Sequence, residues 1–442
     1  MKRYEKYKDS GVEWIGEIPN EWKLLRLKHI VEQKITDGPH ETPVFVESGV
    51  PFLSAESIKG NKIDLKSKRG DISQEQHSLY AKKSQVKKWD ILFCKSGSTT
   101  GKSAIVDFEE EVGIWSPLAI IRSKAILANQ KYVFASMQSI PFRLQVETAW
   151  TFGTQPNIGM GSLENLFIVL PSLSEQTVIA NYLDQKTTEL DTLITKKERL
   201  IELLQEERTA IINQAVTKGL DPDVEMKDSG VEWLGEIPAH WDSKPLRYVG
   251  DTQNGISAGA EYFGLGFPFV SYGDVYKNPI LPNYVSGLAN STEKERSNFS
   301  VKKGDVLFTR TSETVEEIGI ASTCLEDIEN VVYAGFLIRF RPYENLLFEG
   351  FSKYYFRNNI HRIFFIKEMN IVTRASLSQG LLKRLRVLLP GIQEQIDISN
   401  YLDNKTTEVD NLISKTNQEI TLLKEYKTAL ISEVVTGKVK VI

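Results

Sequence analysis

The text from Lys8 to Trp22, KDSGVEWIGEIPNEW, returns as KDSGVEWLGEIPAHW from Lys227 to Trp241, 219 residues later, with changes only at Ile15/Leu234, Asn20/Ala239 and Glu21/His240. A second block repeats at the same interval: EQTVIANYLDQKTTELDTLI begins at Glu175 and EQIDISNYLDNKTTEVDNLI at Glu394. Two blocks recurring in one order over 442 residues imply a single structural unit written twice. Between the blocks the halves share an outline in different letters: VKKWDILF at Val86–Phe93 against VKKGDVLF at Val301–Phe308, GVPFLS at Gly49–Ser54 against GFPFVS at Gly266–Ser271, FIVLP at Phe167–Pro171 against RVLLP at Arg386–Pro390. A common scaffold with unlike loops is expected, and function is to be sought in what the halves do not share.

Residues 23–170 read as short strands and loops. Pro51–Leu53, Asp90–Phe93, Ser103–Val106 and Leu118–Ile121 are brief apolar runs between turn residues. A helix is expected from Ala128 to Glu147, kinked or divided at Pro141, before a last strand at Phe167–Leu170. From Pro171 the texture becomes that of one long helix, with Ser174 as its N-cap and no proline until Pro222. Leu190, Leu193, Leu200, Leu204 and Ile211, with Lys197 and Glu207 filling the gaps, trace a coiled-coil seam. Roughly forty residues would span about 60 Å. So narrow a stripe needs a partner, and the second long helix, whose seam continues through Ile420, Leu423, Leu430 and Val434, supplies it. The repeated KDSGVEW text is expected to join each long helix to the block that follows, its first copy packing against the C-terminal helix.

Charge divides with the repeat. The formal net charge is -4, which argues against a blanket nucleic-acid binder. Residues 23–170 nevertheless carry 19 Lys and Arg against 15 Asp and Glu, and residues 242–389 carry 18 against 16, so the acidic excess lies in the shared blocks. The variable blocks can therefore approach DNA. The chain begins MKRYEKYKDS, nothing in it resembles a secretory signal, and no apolar run is long enough to span a bilayer, so the expected location is the cytoplasm. Cys94 and Cys324 read as small core residues, and the five histidines are too scattered for a ligand set.

Two stretches imitate catalytic motifs. Ser96–Ser103, SGSTTGKS, ends like a phosphate-binding loop, but Ala104–Ile105–Val106 reads as strand where that loop needs a helix. Pro222–Lys227 holds the letters of a metal-dependent nuclease motif inside what reads as a linker. No catalytic apparatus or cofactor site is expected in this chain. What remains is recognition. Thr154, Gln155 and Asn157 lie at the same offset from the terminal strand as Thr373, Arg374 and Ser376, while Lys95, Ser96, Thr99 and Lys102 in one half answer to Arg310, Thr311 and Ser312 in the other. Arg reads guanine bidentately, Gln and Asn read adenine, Ser and Thr read either, and Lys suits phosphate. Asp37–His40 and its counterpart near Asn254–Gly255 are weaker candidates, because turn formation explains them as well.

The doubled order of KDSGVEWxGEIPxxW, a strand ending in LP, and EQxxIxNYLDxKTTExDxLI resembles the specificity subunit of type I restriction-modification enzymes, over essentially the whole chain. The resemblance implies an α+β architecture: two α/β target-recognition domains in tandem, separated by two long antiparallel coiled-coil helices with pseudo-two-fold symmetry. In segments this gives 1–22 as the N-terminal repeat, 23–170 as the first recognition domain, and 171–221 as the central helix. Residues 222–241 form the linker with the second repeat, 242–389 the second recognition domain, and 390–442 the C-terminal helix. It further implies double-stranded DNA, two methyltransferase subunits and restriction subunits as partners, with AdoMet, ATP and Mg²⁺ on those partners. One departure stands out: Trp89 occupies the place of Gly304 in the KKxD turn, which leaves the geometry of the first turn open. A coiled-coil scaffold for other proteins, without DNA recognition, is the competing reading.

Overall fold

The structure, a computed structural model, describes residues 2–152, 155–312, 317–368 and 375–441. Its contacts divide the chain into two compact units, Met1–Glu198 with Asn417–Ile442 and Arg199–Thr416, so each unit combines one variable block with part of each long helix.

In the first unit the variable block is closed by pairing its first strand with its last. Lys23–Arg26 runs antiparallel to Phe167–Leu170, with Leu24 opposite Val169. Between them lie two four-stranded sheets. One is antiparallel, in the order Ser103–Ile105, Ile91–Cys94, Leu118–Ile121, Thr36–Asp37. In the other, Val50–Leu53 lies between Gly113–Ile114, to which it is parallel, and Gly70–Ile72. The apolar runs of the sequence become strands because their neighbours are turn formers and both faces are covered: Ile91, Leu92, Phe93, Leu118 and Ile121 are all fully buried. The expected division at Pro141 occurs. Gln130–Met137 is one helix and Ile140–Thr148 the next, with Ser139 as N-cap and the proline in the first turn, where its missing N–H costs nothing.

The second unit repeats this plan. Asp242–Pro245 pairs with Arg386–Leu389, and the equivalent antiparallel sheet runs Ala321–Thr323, Val306–Thr309, Leu337–Pro342, Gly250–Asn254. The KKxD turns coincide. Trp89 takes φ 72° where Gly304 takes 86°, and their amides reach Val106 and Cys324 at 2.7 and 2.9 Å. A left-handed tryptophan is strained by roughly 1–2 kcal/mol. The following aspartate holds it there. Asp90 and Asp305, each 1% exposed, accept the amides of Lys87 and Lys302 and form bidentate pairs with Arg122 and Arg341. Lys88 and Lys131 cover the Trp89 ring.

The long helices run Leu173–Lys218 and Ile392–Val435. Two expectations about them are corrected. The first N-cap is Ser172 rather than Ser174: its Oγ accepts the amide of Glu175. The seam is shifted as well, because Leu193 and Leu200 are 41% and 43% exposed, while Ile194 and Leu204 are buried and Ile201 half-buried. Alternating steps of four and three from Leu183 through Leu190, Ile194, Lys197, Ile201, Leu204 and Ile211 give the observed stripe, and Leu402 through Val409, Thr416, Ile420, Leu423, Leu430 and Val434 its counterpart. The pairing is antiparallel: in the first unit Lys197 meets Glu419 and Asp191 meets Lys427, and in the second Arg208 meets Asp410.

The repeated text clasps block to helix. Trp22, 1% exposed, donates its Nε1–H to Glu175, and Trp241, wholly buried, donates to Glu394. The first copy meets the end of the C-terminal helix, as expected: a Cβ on Gly437 would stand 2.3 Å from Pro19 and 3.1 Å from Trp22, and Tyr7, just before the copy, donates to the Gly437 carbonyl. The adjacent glutamines act identically. Gln176 donates to the carbonyls of Leu127 and Pro171 and accepts the amide of Asn129; Gln395 donates to Leu346 and Pro390 and accepts the amide of Phe348.

Candidate nucleic-acid interface

Each unit brings its two candidate loops together. In the first, Ser96 bridges Asn157, the amide of Ile158 reaches the Lys95 carbonyl at 2.8 Å, and Thr100 donates its hydroxyl to the carbonyl of Pro156. In the second, Thr311 and Ser312 pair through their backbones with Ser376 and Ala375, and the amide of Leu377 reaches the Arg310 carbonyl at 2.7 Å. Lys95 and Arg310 therefore occupy one structural position, although the sequence interval between them is 215 rather than 219.

Within these loops the side chains divide by role. Ser98, Lys102, Gln155 and Asn157 are exposed in the first unit and Ser376 in the second; Ser96, Thr99, Arg310 and Thr311 are half-buried. Lys95 is only 8% exposed. Its ammonium lies 3.2 Å from Asp37, which also meets Lys83 at 2.8 Å and His40 at 3.1 Å. Burial pushes the Asp37 carboxyl up, but hydrogen bonds from Lys83 and Lys95 outweigh it and hold the group below the usual carboxylate range. Lys95 thus fastens the early Asp37 turn beneath the loop, and Thr99 is engaged by the Cys94 thiol at 3.1 Å. The Lys102 ammonium is placed differently, lining a cleft of about 710 Å³ with Lys59, Lys62 and Arg143. Ser103–Ile105 after it is strand, so the loop lacks the helix onto which a phosphate-binding loop runs. Thr154, Thr373 and Arg374 lie outside the described residues, and of Ser312 only the backbone is described.

A third loop in each unit escaped the reading of the sequence. Trp115–Leu118 and Ala334–Leu337 are four-residue turns, each closed by an amide-to-carbonyl bond of 2.9 Å. Their third residues, Pro117 and Phe336, offer carbonyls to the amides of Lys95 and Arg310 at 2.8 and 2.9 Å. The early glycines meet these turns: a Cβ on Gly38 would stand 1.9 Å from the carbonyl oxygen of Ile114, and one on Gly255 2.2 Å from that of Ala334. Glycine is required at both for close approach. The only signal in the sequence was the 219-residue correspondence of Trp115 with Ala334, which dissimilar letters conceal.

The profile described as "Type I restriction modification DNA specificity domain" matches twice, over residues 19–203 and 239–422. The chain belongs to this family. It is 22% identical over 423 residues to the type I restriction enzyme EcoKI specificity subunit of Escherichia coli K12, covering 91% of this chain and 87% of that one. It is 24% identical over 439 residues to the MjaVIII specificity subunit of Methanocaldococcus jannaschii, covering 96% and 94%. Among solved structures, a chain from work on complex assembly and conformational transition of the type I R-M system superposes with TM-score 0.73 at 16% identity, covering 96% of this chain and 99% of that one. The HsdS subunit from Thermoanaerobacter tengcongensis gives 0.58 at 16% identity, covering 96% and 98%. These likenesses establish the tandem α+β fold. Among the described residues no helix is long and apolar enough to cross a membrane, and no group of three His, Cys, Asp or Glu could hold a metal ion.

Proposed function

We propose that this chain is the sequence-specific DNA-binding subunit of a type I restriction-modification complex, reading a split, asymmetric target with one unit per half-site while holding methyltransferase and restriction subunits. One observation carries the reading: the two units have equivalent frames, yet the loops those frames bring together carry different side chains. Ser96 and Asn157 stand where the second unit has Thr311 and Ser376. Equal frames with unlike loops suit two different half-sites, since base edges are told apart by donor and acceptor pattern. In this reading the chain carries no chemistry itself, and AdoMet, ATP and Mg²⁺ serve the partner subunits. The long helices set the unread interval between half-sites.

Methylome sequencing of cells expressing this chain with a cognate methyltransferase tests the proposal. A new bipartite adenine-methylated motif is expected, and exchanging residues 242–389 for another such block should alter one half of it alone. No motif with any suitable methyltransferase would leave a coiled-coil protein scaffold as the better account.

A further inference from the structure

Phe336 is 62% exposed, between Ala334 at 6% and Leu337 at 0%. Isolated apolar residues are common on surfaces, but this one stands where three loops meet. Its carbonyl accepts the Arg310 amide, the Arg310 guanidinium reaches the Gly335 carbonyl at 3.3 Å, and the Gly335 amide reaches Ile256 at 2.7 Å. A Cβ added at Gly335 would stand 2.1 Å from the Ser257 hydroxyl, so the turn is already seated on the loop beneath it. Nor does the frame need a phenyl ring, because the first unit makes the same turn with Pro117.

We propose that Phe336 reads a thymine in the half-site of the second unit by covering its C5-methyl group in the major groove. Among base edges in that groove the thymine methyl alone presents carbon to an apolar side chain, while Arg310, Thr311 and Ser376 around it are equipped for polar edges. This rests on the DNA-reading function proposed above. With Pro117 in its place, the first unit lacks the ring, so the two half-sites should differ in this respect.

The test uses the complex with its methyltransferase and a duplex bearing the motif found by methylome sequencing. Each thymidine of the half-site assigned to the second unit by block exchange is replaced in turn by deoxyuridine, which removes only the methyl. One position should weaken wild-type binding about fourfold, the worth of one buried methyl. Phe336→Ala should bind both duplexes equally, and Phe336→Leu should keep part of the preference. Unchanged thermal unfolding of Phe336→Ala shows that the turn is intact. If no thymidine in that half-site shows the effect, or if Phe336→Ala retains it in full, the inference is wrong while the recognition function stands. Absence of any bipartite motif instead removes that function, and this inference with it.

Discussion

Replacing Gln395 by leucine tests whether the EQ pair of the repeated block fastens a variable block to its helix. The side chain is wholly buried and makes three hydrogen bonds: to the carbonyls of Leu346 and Pro390 at 3.0 and 2.9 Å, and from the amide of Phe348 at 2.8 Å. Phe348 is the N-cap of the helix Glu349–Tyr355, so its amide has no partner within that helix. Leucine keeps the volume but satisfies none of the three. At about 0.5–1.5 kcal/mol per bond, and with buried backbone groups left unpaired, the loss should be about 3 kcal/mol. Urea unfolding should show the transition of the second unit lowered by roughly 1 M, taking m at about 3 kcal/mol/M, and hydrogen exchange should show the Phe348 amide deprotected. Gln395→Glu separates packing from pairing. It can still accept from Phe348 but sets a carboxylate against two carbonyl oxygens, so it should be no more stable than leucine. Gln176→Leu should reproduce the loss in the first unit, where its bonds match one for one. A midpoint shift below about 0.3 M with Phe348 still protected would refute the clasp.

His361 is buried against Tyr355 and Trp233, and burial pushes its pKa from 6.5 down to about 4. Below pH 6.5 the unfolded chain takes up a proton that the folded chain refuses until about pH 4, so stability should fall by up to roughly 3 kcal/mol as pH drops through that window. His361→Gln should flatten that portion of the urea-midpoint profile; an unchanged slope would contradict it. Lys102→Ala should weaken binding to every duplex alike and reduce the slope of log K against log salt by about 0.9, leaving the methylated motif unchanged. Lys95→Met should instead destabilise the first unit, by less than the roughly 3–5 kcal/mol of an isolated buried pair, because Lys83 still serves Asp37. A pure affinity loss in Lys95→Met without a stability change would reverse these roles. Deleting residues 197–203 and 416–422 together removes one heptad from each helix in register, shortening both by about 10 Å, or roughly three base pairs. The spacer of the motif should shorten accordingly with both half-sites intact, and an unchanged spacer would disprove the helices' part in setting it.

The amino-acid sequence by itself determined the doubling, the two long helices, the central strands of the first block and the correspondence of matched loops. Those properties rest on literal recurrence and on local chemistry, apolar runs between turn formers and a proline that kinks or divides a helix, so none of them requires knowing which distant residues meet. The tertiary structure alone decided the rest. Leu193 and Ile194 are both good seam residues, and only the opposite helix selects Ile194, since a stripe of alternating three and four can be read in two phases. Trp89 adopts a glycine's backbone because the Asp90–Arg122 clamp holds the turn, a pairing across 32 residues. Lys95 looks like a surface cation in the sequence, and its burial follows from Asp37, brought beneath it by the sheet. Phe336 was invisible for the same reason: its exposure depends on three loops, distant along the chain, closing under it.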